Sequence, residues 1–96
     1  MRVIVSGQAD RDLIEIYVYL HKQRPQSAER VAADIRRRIA DIALFPRLGA
    51  PRFNVAPSVR STFVHPYQIF YAIRQQHVEI LRVLHGSRDT KKEFLE

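Results

Sequence analysis

The chain has 96 residues, a length that buries one hydrophobic core with a modest stability margin, so a single domain over residues 1–96 is expected. Its 46% hydrophobic and 27% charged residues are those of a folded globular domain, and the lack of cysteine excludes a disulfide framework and a thiolate zinc site. A formal net charge of +6 predicts attraction to a polyanion, either nucleic acid or an acidic protein.

The opening segment MRVIVSGQADRD has one basic residue and an apolar run too short for a signal-peptide core, and no apolar stretch approaches membrane-spanning length. A cytoplasmic location and no membrane partner are expected. Arg2 to Val5 reads as a short β-branched strand. From Gln8 to Gln23, Ala9, Leu13, Ile16, Tyr17 and Leu20 recur at helical spacing, with Asp10 and Asp12 in the first turn where carboxylates suit the helix dipole. Pro25 suits the first position of a second helix, which Phe45-Pro46 ends. In that helix Ala28, Val31, Ile35, Ile39 and Ile42 keep to one face, so the two helices form an antiparallel hairpin. The run Arg36-Arg37-Arg38 reads as a solvated face, with Asp34 spaced to pair with Arg30 and Arg38.

Pro46 to Ser58, with three prolines and a glycine, reads as a loop. Three strand-like runs follow, Val59 to His65, Tyr67 to Arg74 and Val78 to His85, and their short links predict an antiparallel meander. Ser87 to Glu96 is expected to hold a short final helix. The period of two puts Phe63, Leu81 and Val83 beneath the helices and leaves Arg60 and Arg82 together on the uncovered face. Gly86 is expected to allow a sharp departure from the last strand, and Asp89 to orient Arg88. His21, His65, His77 and His85 lack the spacing of a metal site, so neither metal nor cofactor is expected.

The order strand, helix, helix, long loop and meander, with Tyr67-Gln68-Ile69-Phe70-Tyr71, a turn, and ILRVLHGSRD from Ile80 to Asp89, resembles the RelE/ParE superfamily of toxins from type II toxin–antitoxin systems. Ala9, Asp12, Leu13, Ile16, Tyr17, Leu20, Pro46 and Gly49 add to the likeness, which covers nearly the whole chain. The resemblance implies an α+β fold with the hairpin on one face of an antiparallel sheet. It also implies a growth-inhibiting toxin, as in plasmid-stabilisation systems, and an acidic antitoxin that forms a hetero-oligomer with it. Leu13, Tyr17, Leu20, Val31 and Ile35 on the hairpin are the expected antitoxin contacts.

RelE-like members cut mRNA on the ribosome, whereas ParE-like members poison DNA gyrase. Cutting RNA requires groups that move protons and cations that stabilise charge on phosphorus. Here the middle strands hold no lysine, Gln68 stands where RelE-like enzymes place an arginine, and Phe94 stands where their tail tyrosine lies. Neither can transfer a proton or supply a positive charge. Leu84, His85, Arg88 and Asp89 fit the ParE-like strand end. Three readings follow. The leading one is a non-enzymatic gyrase inhibitor contacting its target through Arg60, Arg82, His85 and Arg88. The alternatives are a ribosome-dependent endoribonuclease using Arg60, His85 and Arg88, and a basic binding module that has lost toxicity.

Overall fold

The computed structural model describes residues 1–95; Glu96, the last residue of the expected domain and tail, lies outside them. The elements are β1 (Arg2–Val5), α1 (Gly7–Gln23), α2 (Pro25–Leu44), β2 (Ala50–Pro51), β3 (Val59–Val64), β4 (Tyr67–Ile73), β5 (His77–His85) and α3 (Thr90–Leu95). Ser6 caps α1 by accepting the Ala9 N–H at 3.0 Å, and Pro25 opens α2.

The strand order is β1-β5-β4-β3-β2. The β3–β4–β5 meander is antiparallel as expected, but β1 runs parallel to β5, so the sheet is mixed. β1 fills an edge that the meander leaves free, where no tight turn dictates an antiparallel direction. The loop after α2 also holds a regular piece, the two-residue β2 paired with β3 through Ala50–Ser61 and Pro51–Arg60.

Tyr67, Ile69 and Tyr71 of β4 form the main core with Ile35 and Ile42 of α2, Ala9 of α1, and Val78, Ile80 and Val83 of β5. Through the β3–β4 register, Arg60, Thr62 and Val64 lie opposite Tyr71, Ile69 and Tyr67 and share their helix-covered side. The expected assignment of faces is therefore corrected. Phe63 turns away from the helices and is 53% exposed, while Arg60 lies on the helix side. Leu81 and Val83 also part company, because the β4–β5 register slips between Phe70 and Tyr71 and makes Leu81 an extra residue. Ile80 and Val83 then reach the main core, whereas Leu81 packs with Val59, Phe70 and Leu84 on the far face.

Charge along α2 is paired differently from the expected spacing. Asp34 takes Arg37, while Arg38 donates to Thr62 Oγ1 at 2.6 Å and lies 3.8 Å from Asp41. Arg38 thus ties the helix to the sheet.

The loop after α2 is fixed by the buried Tyr71. Its hydroxyl donates to Pro46 O at 2.6 Å and accepts from the Gly49 N–H at 2.9 Å. Arg60 Nη1 donates to Gly49 O at 2.6 Å and Arg47 O at 3.3 Å. A Cβ on Gly49 would fall 2.7 Å from both Ser61 O and the Tyr71 hydroxyl oxygen, so close approach requires glycine there. Gly49→Ala is expected to cost about 2–3 kcal/mol as overpacking, and Tyr71→Phe about 1–2 kcal/mol through two orphaned backbone groups; thermal melting measures both. Burial pushes the Tyr71 phenol above its ordinary 10.0, against the Gly49 N–H and Arg60. Its contribution is complete below pH 10.0 and is lost as pH rises through the folded value, so Tyr71→Phe should flatten the alkaline fall in stability.

Candidate functional site

β1 pairs with β5 only as far as Val5 opposite Ile80, leaving the edge of β5 bare beyond that point. Residues at the start of α1 cover it. Ser6 N–H donates to Ile80 O and Ser6 Oγ to Leu81 O, each at 3.0 Å. One turn on, Asp12 Oδ2 accepts the Val83 N–H at 3.0 Å, and the same carboxylate takes Arg82 through Nε at 2.8 Å and Nη2 at 3.0 Å. The side chains of Asp12 and Arg82 are 11% and 12% exposed, so a charge left alone there would be nearly as costly as in a core. Hydrogen bonding to Asp12 raises the Arg82 pKa further, against the cost of burial.

Arg82 Nη1 also donates to Glu93 Oε2 of α3 at 3.1 Å, and Glu93 Oε1 accepts from Arg88. A chain of charges thus runs from α1 through β5 to the tail. Arg82 is engaged inside this chain rather than presented to a partner, which corrects its expected place on an open face. Arg88 is tied to Glu93, not Asp89; Asp89 instead accepts the Lys92 N–H at 3.3 Å at the start of α3. Gly86 matters for proximity, since its N–H donates to Pro66 O at 2.8 Å and an added Cβ would lie 3.2 Å from that oxygen; its φ is not positive.

Above the Asp12–Arg82 pair lies a cleft of about 630 Å³ lined by His85 and Arg88 together with Glu15, Tyr19 and Tyr67. The imidazole of His85 stands edge-on to the Tyr67 ring at 5.8 Å, and its Nδ1 accepts the Ser87 N–H at 3.1 Å. Burial, and then the neighbouring Tyr19, push the Tyr67 phenol up. Of the four expected target contacts, the structure brings His85 and Arg88 together, with Arg82 behind them. Arg60 stands apart, in the ladder row of Tyr71, whereas His85 is in the row of Tyr67.

On the far face, Gln68 Nε2 donates to Ser61 Oγ at 3.1 Å, and Phe94 packs on Phe70 with ring centroids 5.0 Å apart. The five expected antitoxin contacts line one groove of about 300 Å³ between α1 and α2. Ile35 is its buried floor at 3% exposure, while the neighbouring Ile14 and Val18 are 55% and 46% exposed. Arg36 supplies a cation at the groove. Sequence reasoning missed the structural roles of Asp12 and Glu93. Asp12 gave a signal, because an acid three residues after Ala9 and four before Ile16 sits on the buried stripe and needs a basic partner.

A family model described as the ParE toxin of the type II toxin–antitoxin system parDE matches residues 3–90. Toxin ParE3 of Caulobacter vibrioides is 40% identical over 45 residues, covering 47% of this chain and 45% of that protein, so the match spans under half of the curated relative. A structure of the chromosomal ParDE system from P. aeruginosa superposes with a TM-score of 0.76 at 23% identity, over 88% of this chain and 95% of that one. The toxin–antitoxin complex RelBE2 from Mycobacterium tuberculosis superposes with a TM-score of 0.62 at 29% identity, with the same coverage.

Replacing Asp12 by asparagine keeps its shape but leaves Arg82 with Glu93 as its remaining carboxylate partner. Asp12→Asn should cost about 2–4 kcal/mol, the low end reflecting that surviving partner. Adding Arg82→Met should recover part of the loss in chemical denaturation, because neither charge then remains in the pair. A double variant less stable than the sum of the singles would contradict this account.

Proposed function

Because the chain belongs to the ParE family of toxins from type II toxin–antitoxin systems, we propose that it inhibits DNA gyrase by holding the enzyme's cleaved DNA complex. An acidic antitoxin neutralises it. The observation that carries this reading is the state of Gln68 and Phe94, at the positions where RelE-like enzymes place an arginine and a tyrosine. Gln68 is buried and bonded to Ser61, and Phe94 is packed on Phe70. Neither side chain can take up or release the proton that RNA cleavage requires. Arg60, which the ribonuclease alternative needs beside His85 and Arg88, is occupied by the carbonyls of Gly49 and Arg47 on the helix side.

The gyrase contact is His85 and Arg88 at the cleft above the Asp12–Arg82 pair. Arg88 is exposed with its side chain at 55%, and its ion pair with Glu93 orients the guanidinium while costing little to exchange for a partner's carboxylate. The antitoxin contact is the groove between α1 and α2. Its apolar walls and Arg36 suit an acidic amphipathic segment that folds on binding.

Mixed with purified gyrase, ATP and supercoiled plasmid, the toxin should yield linear DNA once protein is digested away, and RNA in the same mixture should stay intact. Arg88→Ala should reduce that yield about tenfold or more, in keeping with loss of an arginine anchor, with only a small fall in melting temperature from the lost exposed pair with Glu93. Breaks in ribosome-bound mRNA with no gyrase-dependent DNA cleavage would establish the ribonuclease instead. Tyr17→Glu should abolish retention of the acidic protein encoded beside the toxin on co-purification, since the new charge would sit at the apolar groove and repel an acidic partner; undiminished retention would move the antitoxin site elsewhere.

A further inference from the structure

The face of α1 that meets β5 continues past Asp12. Glu15 and Tyr19 stand three and seven residues further on, a helical spacing that keeps all three on one side, and both line the cleft that holds His85 and Arg88. Glu15 is exposed, and among the described residues it enters no ion pair. Tyr19 is 61% exposed, a large ring open to solvent beside the apolar lining of Ile16, Leu20 and Pro66. Neither exposure is needed to hold the fold together.

The charge around this cleft opposes that of the whole chain. Asp12 is matched by Arg82, and Arg88 by Glu93. His85 is neutral in this arrangement, because its Nδ1 accepts the Ser87 N–H and so carries no proton. Glu15 is left over. Carboxylates therefore outnumber guanidinium groups by one at the cleft, three against two, although the chain as a whole carries +6. A DNA phosphate brought here would meet an arginine already paired and a carboxylate that repels it. A cationic side chain would meet an acid with no partner, and an apolar one would meet the Tyr19 ring, a combination that suits a protein segment.

We propose, on the footing that gyrase is the target, that Glu15 and Tyr19 set specificity at this cleft by taking a segment of the gyrase protein rather than its DNA. A lysine or arginine of that segment lies against Glu15, and an apolar side chain beside it lies against Tyr19. Arg88 stays available to an acceptor on the same segment.

The test uses the full chain with purified gyrase, ATP and supercoiled plasmid, and reads the toxin concentration that gives half-maximal linear DNA. Glu15→Lys should raise that concentration about tenfold or more, because like charges would then meet. Glu15→Gln should raise it about threefold, the share of an exposed ion pair. Tyr19→Ala should raise it about tenfold or more, as loss of an aromatic anchor does. Both residues are exposed, so melting temperatures should barely move. The direction of the Glu15→Lys effect separates the two partners. With a DNA phosphate in the cleft, Glu15→Lys would act at a lower concentration than the native chain; that outcome, or no change, would overturn the proposal and leave gyrase as the target. If Glu15→Lys melts early, Glu15→Gln decides, and a half-maximal concentration equal to or below the native one overturns it. A native chain that gives no gyrase-dependent linear DNA would remove the gyrase reading and this one with it.

Discussion

The carboxylate of Asp12 meets three demands where β1 ends. It accepts the N–H of Val83, which the strand edge would leave open, and holds the guanidinium of Arg82 through two bonds; by doing so it pins α1 to β5 at one register. Such a pair adds little net stability over an apolar pair of the same volume, because both charges must lose water. Its effect is on selection, since any slip of α1 along β5 would leave a buried cation and a buried anion apart. Arg82 then passes the constraint on through Glu93 to Arg88 and the tail helix. The cleft bearing His85 and Arg88 takes its shape from that chain of charges.

The elements were legible in the sequence because each has strong local periodicity. The stripe from Ala9 to Leu20, the stripe from Ala28 to Ile42, and the three strand-like runs with their short links all correspond to observed elements. The face assignment was not legible, because strand alternation carries no information about a bulge. One extra residue, Leu81, lets both Ile80 and Val83 reach the main core, and Arg60 leaves the expected company of Arg82 because β3 turns its Arg60, Thr62 and Val64 side to the helices. The two-residue β2 and the parallel β1 depend on distant pairing that no local pattern encodes. Of the candidate site, His85 and Arg88 are close in sequence and were found together. Asp12 and Arg82 are 70 residues apart, and only the acid's position on an apolar stripe hinted at the pair.

The two faces of the sheet are finished in different ways. One is covered by twenty-residue and seventeen-residue helices that interlock with β4 and β5. The other is covered by loop residues Val55 and Ala56 and by Phe94 of a six-residue helix. A helix that short does not hold itself together in water, so the order of α3 rests on Phe94 against Phe70 and on Glu93 between two arginines. The thin cover leaves polar side chains such as Ser61 and Gln68 within the second face, while on the hairpin side Arg60 and Thr62 lie in β3 beside the apolar core.

This division also explains how a moderate net charge becomes a directed one. Asp12, Asp34, Asp41, Glu79 and Glu93 all engage arginines of the same chain, and Glu29 accepts from the Tyr17 hydroxyl. Among the described residues, which include nine of the ten acidic side chains, six are therefore committed internally. The excess of cations over anions is expressed at residues such as Arg36 and Arg52, which meet no carboxylate among the described residues. Charges on opposite sides of a sheet lie more than a screening length of about 10 Å apart, so each acts on its own surroundings. Arg36 lies beside an apolar groove, whereas Arg52 is held over the buried Phe70 ring, so the two cations sit in chemically different surroundings.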